Sequence, residues 1–270
     1  MTHENALLNI KITEPFCIDQ YFGSEVRKLS KVPKTTLQCP DQWVGDVEWI
    51  GTGFKYLNTA SHGFSRRQNI VIDDLSLPIK RLIVVLESPH TDEYILDRTS
   101  GTFTAVGPAN GTTGVNLRNF IEAATREFSS SDLVKRHDTF ALILMNAIPY
   151  QCSLGNPLGG PKNVANRIAR DTLFRSCWNV YEQIFRLRLT SYCNEQSLVV
   201  NACTRGQRKV GGKWLRDLVE DAIGSCKVAE KHRIRRQHPS WSPNWKNAKS
   251  WTHTLDRDYF QFPIKINGAQ

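Results

Sequence analysis

Three short stretches of the chain are apolar at nearly every position: Leu82–Leu86 (LIVVL), Phe140–Met145 (FALILM) and Leu198–Ala202 (LVVNA). A strand with one wet face alternates polar and apolar residues. A run without a polar face must be covered on both sides, as in a sheet enclosed by helices. A fourth, more polar run, Lys227–Ile234, completes the set. Helical spacing fills the intervals. Leu117, Phe120, Ile121, Ala124 and Phe128 recur on one face after Gly114. Ile168, Leu173, Trp178, Tyr181, Ile184 and Phe185 form a second such face, and Trp214, Leu215, Leu218, Val219 and Ala222 a third. Strands alternating with helices imply an α/β chain, a three-layer αβα sandwich around a central, mostly parallel four-stranded sheet.

Residues 1–78 read differently, rich in Pro, Gly and Thr with one strand-like run at Asn69–Asp73. They are expected to form an N-terminal extension packed on the core, with 79–270 as the α/β domain. The 270 residues, 40% of them hydrophobic, suffice for a packed core. No apolar run approaches the ~18–20 residues of a membrane span. The seven cysteines are odd in number and contain no C-x-x-C pair, which argues against a disulfide framework. A cytoplasmic monomer with no membrane association is the expectation.

Charge is concentrated. The chain carries a formal +9, and residues 205–249 hold 12 Lys and Arg against 4 Asp and Glu, a surplus of 8. The remainder is almost neutral. A localised basic surplus is the electrostatic footprint of a polyanion partner.

In sheets of this type ligands bind beyond the carboxyl ends of the strands. There the chain places Glu87-Ser88-Pro89-His90, Asn146-Ala147-Ile148-Pro149-Tyr150, Cys203-Thr204-Arg205-Gly206 and His238-Pro239-Ser240-Trp241-Ser242.

Over about residues 80–250 these strand-end segments resemble the uracil-DNA glycosylase superfamily. Its opening motif, G-E-A-P-G in one branch, is similar to Leu86-Glu87-Ser88-Pro89-His90, with Asp92-Glu93 following. The branch's G-R-P-F-V-G resembles Gly101-Thr102-Phe103-Thr104-Ala105-Val106-Gly107. The middle motif, Asn-Val-Val after a strand, resembles Asn146-Ala147-Ile148, and the late H-P-S is intact as His238-Pro239-Ser240.

The resemblance implies a monofunctional DNA glycosylase. Breaking an N-glycosidic bond creates an oxocarbenium-like sugar and a departing base anion. Glu87 is then the candidate carboxylate for the cation or the attacking water, with Asp92 in reserve. His238 is the candidate donor to the base oxygen as negative charge develops. Asn146 would read the edge of an extruded base and Phe103 would stack on it, with His90, Asp92 and Ser240 also lining the pocket. Trp241 or Trp245 would fill the gap in the duplex. Arg205, Arg208, Lys209, Arg233, Arg235, Arg236 and Lys246 would meet phosphates.

Two departures bear on the substrate. His90 stands where uracil readers often carry a bulky aromatic that blocks the pyrimidine C5 position. A larger C5 substituent is therefore admitted, as in the defence branch that removes glucosylated 5-hydroxymethylcytosine from phage DNA. The branch's iron–sulfur cysteines are not matched, since Cys17 and Cys39 lie too far apart and Cys152 and Cys177 are differently spaced. No metal or cofactor is expected. The competing readings are a uracil-DNA glycosylase of base-excision repair and an inactive DNA-binding module of the same fold.

Overall fold

The computed structural model describes residues 38–57, 80–90, 93–96, 99, 103–105, 107–150, 152, 164–226 and 228–239. The strands are β1 (Gln42–Trp49), β2 (Phe54–Tyr56), β3 (Arg81–Leu86), β4 (Tyr94–Leu96), β5 (Phe103–Ala105), β6 (Thr139–Asn146), β7 (Ser197–Asn201) and β8 (Arg233–Arg235). The helices are α1 (Thr112–Thr125), α2 (Val164–Tyr192) and α3 (Leu215–Gly224).

The main sheet has six strands in the order β2-β1-β6-β3-β7-β8, and β4 and β5 form a separate antiparallel pair. β3 runs parallel to both β6 and β7, and β7 is parallel to β8. β1 is antiparallel to β6 and to β2. The expected four-stranded sheet is therefore corrected to a mixed sheet of six. Its two additional strands come from residues 42–56, inside the segment read as an N-terminal extension. Val44, Val47, Trp49 and Phe54 of that segment are buried in the core. The strand-like run Asn69–Asp73 lies outside the described residues.

The doubly apolar strands bury both faces, as their composition requires. Leu82, Val84 and Leu86 of β3 join Leu142 and Leu144 of β6 in a cluster with Leu117, Ile121 and Ala124 of α1. The alternate residues Ile83, Val85, Ile143 and Met145 join Phe174, Trp178 and Phe185 of α2 and Leu215, Val219 and Ile223 of α3. Each fully buried Leu or Phe contributes about 2–3 kcal/mol through burial, so the two clusters hold the strand ends in fixed register. The three helices fall on the segments expected, with α2 longer at both ends, Phe128 in a 3-10 turn after α1 and Trp214 capping α3. β8 is shorter than its run, because Glu230–His232 form a 3-10 turn before it. None of the described helices is long and apolar enough to cross a membrane.

Candidate active site

The parallel register aligns the ends of β3 and β6. Leu86 pairs with Asn146, and the ladder continues as Ala147 N–H donates to Leu86 O at 2.9 Å and Ile148 N–H to Glu87 O at 3.1 Å. This brings Glu87, Ser88 and Asn146 to one end of the sheet. β7 delivers Thr204 to the same place, where its hydroxyl donates to Glu87 Oε2. Beyond β8, the His238-Pro239 segment is tied to the fold by Asn116 of α1, whose Nδ2 donates to Pro239 O at 2.6 Å.

Glu87 is 3% exposed. Thr204 engages one of its oxygens. The other, Oε1, lies 3.6 Å from Arg170 Nε and makes no hydrogen bond. Arg170 projects from α2 and donates to Asp171 Oδ1 through Nε at 3.0 Å and Nη2 at 2.6 Å. Burial works against the Arg170 charge, but Glu87 and Asp171 hold its pKa above the ordinary value. A cation, a buried carboxylate and a hydroxyl thus meet at the end of β3.

His238 is part-buried and joins this group electrostatically. Desolvation first, then the charges of Arg170 and His90, push its imidazole down to about 3. His238 is neutral at physiological pH, and one ring N–H can donate while the other nitrogen accepts.

Asn146 is 1% exposed. Its Nδ2 donates to Glu93 Oε2 at 3.3 Å, and its Oδ1 makes no hydrogen bond. Its backbone carbonyl accepts from Arg188 Nη2 at 2.6 Å. Glu93 also accepts from Ala109 N–H at 3.0 Å and from the Cys39 thiol at 3.8 Å. Burial pushes the Glu93 carboxyl up to about 8, against the lowering effect of these donors. Asn146 Oδ1, Glu87 Oε1 and the Ser88 hydroxyl, all buried and without a hydrogen bond, therefore lie at the ends of the adjacent strands β6 and β3. Unsatisfied buried polar atoms are costly, so these three are candidate contacts for a ligand or water.

Burial disfavours the thiolate form of the thiols nearby. Burial, then the Glu87 charge, raises Cys203 well above its ordinary value. Cys152 is raised by its hydrogen bond with Cys177 and by burial. Among the described residues no group of three or more His, Cys, Asp or Glu side chains is placed to hold a metal ion.

The basic residues divide into two kinds. Arg236 is 3% exposed, donates to Ala124 O at 2.6 Å and pairs with Glu127 at 3.1 Å. It anchors the end of α1, and its expected role at phosphates is corrected to a structural one. Arg233 and Arg235 both pair with Glu220 of α3, which also accepts from Asn201 Nδ2 at 2.8 Å. Arg205, Arg208 and Lys209 have no carboxylate partner among the described residues. They lie on a loop leading into a tight hairpin closed by mutual Val210–Lys213 backbone bonds. Gly211 and Gly212 at its tip have φ 58° and 77°, the left-handed pair that a two-residue hairpin turn requires. The Arg205 guanidinium stacks over the Trp214 ring at 3.8 Å, with Lys209 5.6 Å from the same ring. Arg175 Nη2 donates to Lys213 O at 2.8 Å, and Gln207 N–H donates to Asp171. The loop is thereby linked through the Arg170–Asp171 pair to Glu87.

Of the expected site residues, Glu87, His90 and His238 gather around Arg170, and Asn146 ends the neighbouring strand β6. Asp92, Ser240, Trp241, Trp245 and Lys246 lie outside the described residues, as does the side chain of Phe103, whose backbone belongs to β5. Sequence reasoning missed Arg170, which sits within an ordinary amphipathic helix with no local signal. It gave no role to Glu93, although the acidic pair after the opening motif pointed to it. No family model, curated protein or solved structure matches the chain.

Proposed function

We propose that the chain is a monofunctional DNA glycosylase, a hydrolase that takes a pyrimidine out of the stack and cuts its N-glycosidic bond to leave an abasic site. The observation carrying this reading is the buried Glu87 carboxylate, whose Oε1 makes no hydrogen bond and faces Arg170, with a neutral His238 beside the same arginine. Each group suits one demand of the reaction. Glu87, oriented by Thr204, orients water or stabilises the cationic sugar through its uncommitted oxygen. Neutral His238 donates to the base oxygen that gains charge as the bond breaks, and the Arg170 cation adds electrostatic stabilisation to the departing anion. Asn146 reads the polar edge of the extruded base. Arg205, Arg208 and Lys209 grip the backbone beside it.

Two bases fit this proposal. Glucosylated 5-hydroxymethylcytosine is suggested by the resemblance, in which His90 replaces a blocking aromatic, and implies a role in defence against phage. Uracil implies base-excision repair. An inactive DNA-binding module is the alternative reading, supported by the same hairpin cations without use of the buried oxygens. Mass spectrometry of bases freed from oligonucleotides carrying uracil, 5-hydroxymethyluracil, 5-hydroxymethylcytosine or its glucosylated form decides among them. Release of a base by the intact chain and not by Glu87→Gln is expected. Salt-sensitive DNA binding with no base released from any oligonucleotide overturns the enzymatic reading.

A further inference from the structure

An amide has a donor end and an acceptor end. In Asn146 one end is occupied by Glu93, so the other is the end an incoming base meets. The 4-position of a pyrimidine carries either a carbonyl acceptor, as in uracil, or an amino donor, as in cytosine. We propose that Glu93 is the positioning residue that decides which end of the Asn146 amide meets the base, and so whether the site takes a 4-keto or a 4-amino pyrimidine. The inference rests on the glycosylase reading and deepens it.

The geometry makes the choice binary. Glu93 Oε1 faces the Ala109 N–H, so it acts as an acceptor in either protonation state. Ala109 holds φ 60°, an uncommon left-handed conformation for a non-glycine residue, in delivering that N–H. Any carboxyl proton therefore resides on Oε2, the oxygen facing Asn146 and the Cys39 thiol. An ionised Glu93 accepts from Asn146 Nδ2 and turns Oδ1 toward the base, which suits a 4-amino group. A protonated Glu93 donates to Oδ1 and turns Nδ2 toward the base, which suits a 4-keto group.

Burial favours the protonated form of Glu93 at neutral pH. Burial lifts the carboxyl to about 8. Neither Cys39 nor Tyr94 changes charge in that range. Cys39 is raised well above its ordinary value by burial, then by the charge of Glu93. Tyr94, next along the chain, is likewise raised by burial. The remaining charges, Asp41 and Arg188, are locked in a two-pronged pair at 2.8 and 2.7 Å. The structure holds the amide in the orientation that suits an ionised Glu93, with Nδ2 on the carboxylate and Oδ1 unbonded. Once Glu93 takes up its proton the amide turns over, and the site reads a 4-keto pyrimidine, uracil or a 5-substituted uracil, ahead of the 4-amino series.

The test compares the intact chain with Glu93→Gln on oligonucleotides carrying uracil, 5-hydroxymethyluracil, cytosine or 5-hydroxymethylcytosine, at about pH 6.5 and about pH 9. Glutamine can accept from Ala109 with Oε1 and donate to Asn146 with Nε2, reproducing the protonated carboxyl at every pH. The native chain is expected to favour 4-keto bases at the lower pH and to lose about tenfold of that preference at the higher. Glu93→Gln is expected to keep the preference at both. A native preference for 4-amino bases at the lower pH overturns the inference, as does the same pH response in the variant. The Asn146 side-chain amide resonances supply a readout independent of catalysis. They are expected to shift with a midpoint near 8 in the native chain and to stay constant in Glu93→Gln, and a flat native titration overturns the inference. Should the native chain release no base at all, the glycosylase reading falls, and this titration alone decides whether Glu93 orients Asn146.

Discussion

Arg170 Nε lies 3.6 Å from Glu87 Oε1, across 83 residues of sequence, and the same guanidinium is held by Asp171 at 2.6 Å. The buried carboxylate thus has a positive neighbour without a hydrogen bond to its uncommitted oxygen. Charge neutralisation and availability for chemistry are separated in this way. A direct hydrogen bond from arginine would occupy the oxygen that water or sugar needs.

Glu87→Gln keeps the shape and can still accept from Thr204, but removes the negative charge. Base release is expected to fall by about a hundred- to ten-thousand-fold, the usual span for a positioned acid or base. DNA affinity should change little. Single-turnover kinetics with a parallel binding assay check both parts, and a variant retaining native rates would remove Glu87 from the chemistry. Arg170→Ala leaves the buried carboxylate without its cation, so it should lose both activity and stability.

His238→Ala is expected to slow base release by about a hundred- to a thousand-fold, as for loss of one donor to a developing anion. The pH profile carries the sharper test. The folded pKa of His238, about 3, lies below its ordinary value of 6.5, so the imidazole stays neutral down to acid pH. Activity should show no acidic limb with a midpoint near 6.5. The corresponding stability contribution is present above 6.5 and declines as pH falls toward 3. A histidine resonance titrating near 6.5 and assigned to His238 would contradict this.

The basic surplus should split on mutation. Replacing Arg205, Arg208 and Lys209 with alanine is expected to weaken duplex binding and to reduce the slope of log affinity against log salt by about 2.7, about 0.9 per lost phosphate contact. The fold should be unaffected apart from the lost Arg205–Trp214 stack. Arg236→Ala should do the reverse, costing about 2–3 kcal/mol of stability by orphaning Ala124 O and emptying a buried position. Its salt slope should match the native one. Salt-titrated binding and chemical denaturation on the two proteins distinguish these outcomes.

The legible parts of the fold are those where one residue type had one available environment. LIVVL and FALILM have no polar face, so β3 and β6 could only be interior strands. β1 was hidden because its sequence, QWVGDVEW, mixes polar residues and a glycine, and its register shifts between Trp43 and Gly45. An edge-side strand can carry such residues, and its partner is almost a hundred residues away. Glu87, Asn146 and His238 were legible because each lies at or just past the end of a strand. Arg170 was not, since a helix position gives no sign of what lies across the sheet end. Charge counting also could not distinguish Arg236 from Arg208, because burial depends on the Ala124 carbonyl and Glu127 lying beside one and not the other.

Glu93 makes stability depend on pH in the direction opposite to most carboxylates. Its folded pKa of about 8 exceeds the ordinary 4.5, so the folded state holds a proton that the unfolded chain has released between those values. The contribution is fully present below about 4.5 and is lost progressively as pH rises to about 8. The shift corresponds to an effect of order 5 kcal/mol, which the donors from Ala109, Asn146 and Cys39 already moderate. Glu93→Gln removes the titration while keeping a neutral side chain able to accept from Ala109. The variant should therefore be no more stable than the native chain near pH 4.5, and increasingly more stable than it toward pH 9. Urea denaturation of both proteins across that range measures the difference. Parallel stability curves would mean that Glu93 is ionised throughout, and that the three donors outweigh its burial.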